Sequence, residues 1–321
     1  MKTIEQLRID VEQEIIGLKY PDQPADLYAP IDYILAVGGK RMRPILLLLA
    51  HQLYKKDFSR ALMPSVAIEV FHNFTLLHDD IMDKAPLRRG NDTVHVKWNE
   101  NVAILSGDAM LIQSYQYFND LEAATLKEVL TVFNQSALQV CEGQQFDMDF
   151  EIQAEVSMSL YLKMIEYKTA ILLAAALKIG AIIGGASSKQ ADLLFSFGRD
   201  IGIAFQLKDD LLDAFGDQKV FGKRVGGDII SNKKTCLYLQ ALEISDKNTK
   251  MELVNLYTFK NTDDISKVER VKEIYELLKI PSLTNNLIDT YYNKAMESLS
   301  LVEGDKTELI RFAKMLKSRE N

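Results

Sequence analysis

Apolar residues recur at three- and four-residue steps along most of the chain, and sustained apolar–polar alternation is absent. That periodicity predicts helices and no strand. Predicted helices cover 3–17, a short segment closed by Gly38-Gly39, and a run opening at Pro44 with the apolar stretch Ile45 to Ala50. Further helices are predicted over 62–83, 101–119, 123–146, 155–186, 188–216, 232–246, 249–259, 265–278, 283–299 and 304–318. Pro44 stands near a helix start, where its missing N–H costs nothing. Residues 21–30, with three prolines, read as a loop. No repeat of domain length and no linker rich in Gly, Ser or Pro interrupts the 321 residues, so one all-α domain over 1–321 is expected.

Composition narrows the class. Sixteen glycines and seven prolines leave little punctuation for so long a chain, which favours long helices. A net charge of −7 argues against a nucleic-acid partner. Cys141 and Cys236 are far apart and lack metal-ligand spacing, as expected for a reduced cytoplasmic compartment. The N-terminus is amphipathic and acidic rather than signal-like. The most apolar stretch, Ile171 to Gly185, is broken by Lys178 and is short for a bilayer, so stable membrane insertion is not expected.

The chemistry concentrates in two acidic clusters. Asp79, Asp80 and Asp83 end one apolar helical run, and Asp209, Asp210 and Asp213 repeat the spacing near the end of another. On a helix the first and last acid of each cluster share a face one turn apart. Carboxylates that close repel unless a cation holds them. A single cluster would more often be a solvated helix face. Here Phe71, Phe74, Leu76 and Leu77 lead into the first, and Ile203, Phe205 and Leu207 into the second, so these acids end core-facing helices. Each cluster also hands over to a basic loop: Arg88-Arg89-Gly90 after the first, and Lys219 through Lys223-Arg224 to Lys233-Lys234 after the second.

Magnesium takes one or two carboxylates plus phosphate oxygens, and Arg and Lys hold phosphate by charge-assisted hydrogen bonds. The pattern therefore suits Mg²⁺-assisted departure of a diphosphate, in which stabilising the developing negative charge is the large term. Lys168-Thr169 lies inside an apolar helix, where a lysine needs an anion. Gln206 precedes Asp210 by one turn. Lys40-Arg41-Met42-Arg43 alone would read as a solvated turn, and His72 alone as a core histidine. Gly216 to Lys223 has one residue too many for a phosphate loop and lacks the following Ser or Thr. No dinucleotide fingerprint, Glu-x-x-His pair or calcium loop occurs.

Taken in order, Gly38-Gly39-Lys40-Arg41-Met42-Arg43-Pro44, Leu77-His78-Asp79-Asp80-Ile81-Met82-Asp83 with Arg88-Arg89-Gly90, Lys168-Thr169, Phe205-Gln206-Leu207-Lys208-Asp209-Asp210-Leu211-Leu212-Asp213, and the loop from Gly222-Lys223 to Thr235 resemble the trans-isoprenyl diphosphate synthases, or polyprenyl synthetases. The likeness spans nearly the whole chain. It implies the all-α isoprenoid synthase fold, a helical bundle around a deep central cavity, usually a homodimer. It implies that Asp79, Asp80, Asp83, Asp209, Asp210 and Asp213 bind Mg²⁺, three ions per active site. Arg88, Lys168, Thr169, Gln206, Lys223 and Lys233 match residues that hold the allylic diphosphate. Lys40, Arg43, His72 and Arg89 match the isopentenyl diphosphate pocket. The implied reaction is ionisation of dimethylallyl, geranyl or farnesyl diphosphate, condensation with isopentenyl diphosphate, and elimination of a proton.

In that family, bulk four and five residues before the first Asp limits elongation. Phe74 is bulky and Thr75 modest, and no two-residue insertion enters the first cluster, so the chain resembles geranylgeranyl (C20) synthases more than farnesyl (C15) ones. Phe71, Phe74 and Thr75 are the expected chain-length residues, and a longer-chain synthase ranks third. A terpene cyclase would lack the second Asp cluster and the isopentenyl pocket. A non-catalytic partner subunit would have lost one or more of the Asp-rich motifs.

Overall fold

The computed structural model describes residues 1–216, 226–258 and 263–318, and they are all-α but for one minute hairpin. By its contacts the chain divides into two compact units.

The first unit comprises Met1–Phe133, Ala175–Leu194 and Glu303–Glu308. It contains α1 (Ile4–Gly17), α2 (Ala25–Ala36), α3 (Met42–Gln52), α4 (Ser59–Met82), α5 (Val94–Lys97) and α6 (Glu100–Gln116). Thr3 and Gln6 form a capping box at the start of α1. α3 is buried on every side from Pro44 to Gln52, and α4 from Pro64 to Phe71, as expected of helices hydrophobic all round. Gly180 lets the backbone of its own helix meet that of α3, since a Cβ there would lie 2.0 Å from the Leu47 carbonyl oxygen.

The second unit comprises Asn134–Ala174, Phe195–Val302 and Leu309–Asn321. Boundaries fall inside α7 (Ala123–Ile152), α9 (Ile171–Gly184), α10 (Ser188–Phe215) and the last helix (Thr307–Lys317), so each unit holds part of these helices. Wholly within the second unit lie α8 (Met158–Ile165), α11 (Gly227–Ile230), α12 (Cys236–Ile244), α13 (Lys247–Thr258), α14 (Asp264–Leu277) and α15 (Ile280–Ser300). α16 (Thr307–Lys317) closes the described chain. Tyr161, Leu207, Cys236, Val271, Tyr275 and Ile280 are among the residues that form this unit's core.

Four expectations change. The proline-rich loop expected over 21–30 ends at Pro24, and Ala25 to Pro30 instead form the start of α2. Pro24 sits at the N-cap and Pro30 inside the helix, where the fixed φ suits the helix and one backbone hydrogen bond is forfeited. The helix expected over 155–186 begins only at Met158 and is broken by a wider π-helical turn at Glu166–Ala170. The absence of strands fails at β1 (Leu87–Arg88) and β2 (Asn91–Asp92), joined by Arg89 and Gly90 at φ +53° and +77°. Both central residues are left-handed, which matches the right-handed twist of a two-residue hairpin. The helix over 232–246 starts only at Cys236, while part of the supposed basic loop forms α11.

By length and composition Met158–Gly184 could cross a bilayer, yet Ile171 to Leu177 are almost wholly buried within the protein. It is a core segment.

The end of α3 carries an acid-sensitive group. His51 is 1% exposed and both ring nitrogens lack a hydrogen-bond partner. Burial, then the nearby Lys55 charge, pushes its pKa down from 6.5 to about 4. The neutral ring is thus the folded form, and stability falls as pH drops below the unfolded value of 6.5, by on the order of 2 kcal/mol at pH 5. Unfolding free energies from urea titrations at pH 7.5 and pH 5 should converge by that increment in His51→Leu; an unchanged pH dependence would exclude His51 as its source.

Candidate active site

The first acidic cluster ends α4 in a turn built to return the chain. Ala85 N–H donates to the Asp80 carbonyl (2.9 Å) and Lys84 N–H to that of Ile81 (3.2 Å), with Lys84 left-handed at φ +50°. This is the Schellman arrangement, with lysine where glycine is usual. Thr93 Oγ1 then ties back to the Ala85 carbonyl (2.7 Å), so the loop holds its hairpin over the helix end. Arg88 consequently meets Asp80 bidentately, Nε and Nη2 lying 2.8 and 2.7 Å from the two carboxylate oxygens. Asp80 is 3% exposed, Asp79 half-buried and Asp83 exposed at the helix C-cap.

A cationic group lies on the same unit. Burial pushes the Arg43 guanidinium down to about 10, with Arg89 adding to the effect and Glu69 opposing it. The half-buried His72 is driven well below its usual value, first by burial and then by Arg43, Arg89, Arg88 and Arg41. Three of the expected residues, Arg43, Arg88 and Arg89, are therefore within electrostatic reach of a fourth, His72, and disfavour its charged form. The Arg89 guanidinium lies against Gly39, where a Cβ would stand 2.8 Å from Nη1. Lys40, on the adjoining turn, is exposed.

Upstream on α4, Phe71 is 1% exposed and packs edge-on against Phe133 at 5.1 Å, next to Tyr115 and Phe118. Phe74 is half-buried between Phe71 (5.6 Å) and His78 (4.8 Å). Thr75 donates its hydroxyl to the His72 carbonyl at 2.8 Å. Gly107 makes room for His78, whose ring would meet any Cβ there at 2.3 Å.

The second unit holds a cavity of about 150 Å³ whose lining includes Lys168, Thr169, Gln206, Asp210, Asp228 and Lys233. The π turn puts Lys168 and Thr169 at its wall. Gly143 and Gly202 allow this, because side chains there would strike the backbones of Lys168 (2.3 Å) and Ala170 (2.6 Å). Lys168 Nζ donates to Asp147 at 2.6 Å. Thr169, Gln206 and Asp210 form a relay, hydroxyl to amide oxygen at 3.1 Å and amide nitrogen to carboxylate at 3.2 Å.

Asp210 also accepts from Tyr161 OH and from the Cys236 N–H (3.3 Å). Burial and the Asp228 charge raise its pKa, against the pull of those donors. Asp213 accepts from the Asp228 N–H (2.9 Å) at the first turn of α11, and Asp209 is half-buried beside them. Lys223 lies outside the described residues.

Asp147, Tyr161, Asp228, Lys234 and Lys267 were not foreseen as part of this site. Lys234 caps the end of α7 through the carbonyls of Phe150 (2.6 Å) and Gln153. Lys267, on α14, is 6% exposed and donates to Asn232, so a segment with no expected chemistry anchors the loop that bears Lys233. Asp228 was visible as an acid in a basic loop; nothing local marked Tyr161 or Lys267.

Among the described residues no three His, Cys, Asp or Glu side chains form a ready cage for a metal ion. The donors nevertheless fit a hard cation that keeps its water and takes few carboxylates. They are all carboxylate oxygens, and one of them, Asp210, is crowded by Asp228 in a way that positive charge would relieve.

The family model described as polyprenyl synthetase matches residues 24–278. A geranylgeranyl diphosphate synthase of Methanosarcina mazei is 37% identical over 93% of this chain and 91% of its own. A geranylfarnesyl diphosphate synthase of Natronomonas pharaonis is 38% identical over 73% of this chain and 74% of its own. A crystal structure titled geranylgeranyl pyrophosphate synthase superposes with a TM-score of 0.95 at 43% identity, covering both chains completely. Fold, ordered motifs and these likenesses agree: the chain belongs to the polyprenyl synthetase family, has its all-α isoprenoid synthase fold, and is a trans-prenyltransferase.

Proposed function

We propose that the chain makes geranylgeranyl diphosphate (C20), adding isopentenyl diphosphate head to tail to dimethylallyl, geranyl and farnesyl diphosphates. The observation that carries the site reading is that its carboxylates and cations are already paired, as in Arg88 with Asp80 and Lys168 with Asp147. A diphosphate and its counter-ions can replace each partner in kind. Asp79, Asp80 and Asp83, with Asp209, Asp210 and Asp213, would hold Mg²⁺. When bound, the metal neutralises the charge that develops on the departing diphosphate. Arg88, Lys168, Lys223 and Lys233 bind that diphosphate, while Thr169 and Gln206 orient it. Lys40, Arg43, His72 and Arg89 receive isopentenyl diphosphate, with neutral His72 able to donate a hydrogen bond without adding charge.

The C20 length is supported by half-buried Phe74, five residues before Asp79, and by the relatives named above. A second reading, a C25 product, is favoured by the geranylfarnesyl relative and by the modest size of Thr75. The residues 1–321 act as a single catalytic domain. A homodimer is supported by Leu105 and Ile112 on α6, one heptad apart and 60% and 61% exposed.

Purified protein with Mg²⁺, isopentenyl diphosphate and each allylic starter should yield the C20 alcohol after dephosphorylation, read by mass, and chelation should stop the reaction. A C15 or C25 main product would overturn the length. Cyclic hydrocarbon would indicate a cyclase, and no elongation with any starter a non-catalytic subunit.

A further inference from the structure

A buried acid lies beneath the arginines assigned to isopentenyl diphosphate. Glu69, on α4, is 3% exposed; its Oε1 accepts from Arg41 Nη1 at 2.8 Å and from Asn73 Nδ2 at 3.3 Å. Arg41 is itself 2% exposed. Its guanidinium also reaches Glu12 on α1 (Nε to Oε1, 3.0 Å) and the Leu35 carbonyl on α2 (2.7 Å). Its backbone is left-handed at φ +49°, a conformation that costs a residue with a side chain of order 1 kcal/mol or more. The strained turn directly follows Lys40 and leads into Arg43. Arg41 is thus spent on internal bonds, and those bonds fix the backbone that presents its two basic neighbours.

Charge adds a second contribution. Glu69 lies within electrostatic reach of Arg43 and Arg89, which repel one another, and Arg43 Nε is buried without a hydrogen-bond partner. One buried carboxylate therefore offsets several guanidinium charges and holds the most constrained one directly.

We propose that Glu69, acting through Arg41, is a positioning residue for isopentenyl diphosphate: the pair sets the conformation of residues 38–43 and holds Arg43 and Arg89 together for one diphosphate. This rests on the assignment of Lys40, Arg43, His72 and Arg89 to that substrate. The plain alternative is a buried ion pair that only ties α1, α2 and α4 together. Such a tie would alter melting and affect both substrates alike.

Three variants separate these readings, with KM measured for each substrate at saturating amounts of the other. Glu69→Gln removes the charge and keeps the shape. Losing one charge-assisted bond and its alignment should raise KM for isopentenyl diphosphate about 10-fold, with the allylic KM within about 2-fold and Glu69→Asp recovering part of the loss. Arg41→Lys keeps a buried cation but cannot reach all three acceptors, and should give the same selective effect if Glu69→Gln does not fold. Equal changes in both KM values, a fall in kcat alone, or loss of folding in both variants would overturn the proposal. Arg43→Gln tests the pocket itself. If it raises only the allylic KM, the assignment of the pocket is wrong; if it raises the isopentenyl KM while folded Glu69→Gln does not, the positioning role is wrong.

Discussion

Asp210→Asn is expected to lower kcat by about three orders of magnitude while leaving the melting temperature unchanged or slightly raised. The carboxylate is buried at the cavity wall and takes hydrogen bonds from Tyr161, Gln206 and the Cys236 backbone. Burial and Asp228 nevertheless disfavour its charge. Keeping that charge therefore costs folding free energy at neutral pH. The amide abolishes the cost but turns one donor towards groups that are themselves donors, a loss of about 1 kcal/mol. The two effects nearly cancel in stability. In turnover nothing offsets the missing charge, because a neutral amide cannot replace a carboxylate facing a cation. Wild-type turnover would remove Asp210 from the site, and a parallel collapse of stability would make it structural.

Phe74→Ala should shift the main product to C25 or longer with little change in total isopentenyl diphosphate consumed. Phe74 is only half-buried, resting on Phe71 and His78, so its loss opens space along α4 without emptying the core. Phe71→Ala provides the contrast. That ring is sealed against Phe133, and its truncation should cost about 3–5 kcal/mol in urea unfolding, reducing yield before it changes length. Mass spectra of the dephosphorylated alcohols decide it. An unchanged C20 profile in Phe74→Ala would show that this helix does not measure the product.

Much of this was legible along the chain because the key groups announce themselves locally. Asp79-Asp80-Asp83 and Asp209-Asp210-Asp213 are fixed by helix spacing, and the apolar residues before them imply buried helix ends. What escaped was set by distant partners. Asp213 meets the first turn of α11 across an interval of fifteen residues, and Lys267 reaches back to Asn232 from α14. Glu69 sits among Val66, Ile68, Val70 and Phe71, where a lone acid signals a buried partner, but nothing local says that the partner is Arg41. Over 21–30 the prolines hold off the helix only as far as Pro24, because a proline φ is one that a helix accepts at its N-cap and, in Pro30, within its first turns. The hairpin of β1 and β2 is too short for alternation to register.

The π turn at Glu166–Ala170 is one residue wider than an α-helical turn, and Gly143 and Gly202 make the room it needs. Deleting a single residue there would let 158–184 wind as an uninterrupted α-helix with a regular hydrogen-bond ladder. The helix on either side would keep its facing, because the wider turn holds its extra residue as a local bulge. Ile171 to Leu177 would keep their buried neighbours, but Lys168 and Thr169 would leave the cavity wall. The same deletion should therefore spare the fold and cost catalysis, which makes the extra residue a matter of chain length at this point rather than of which letter stands there.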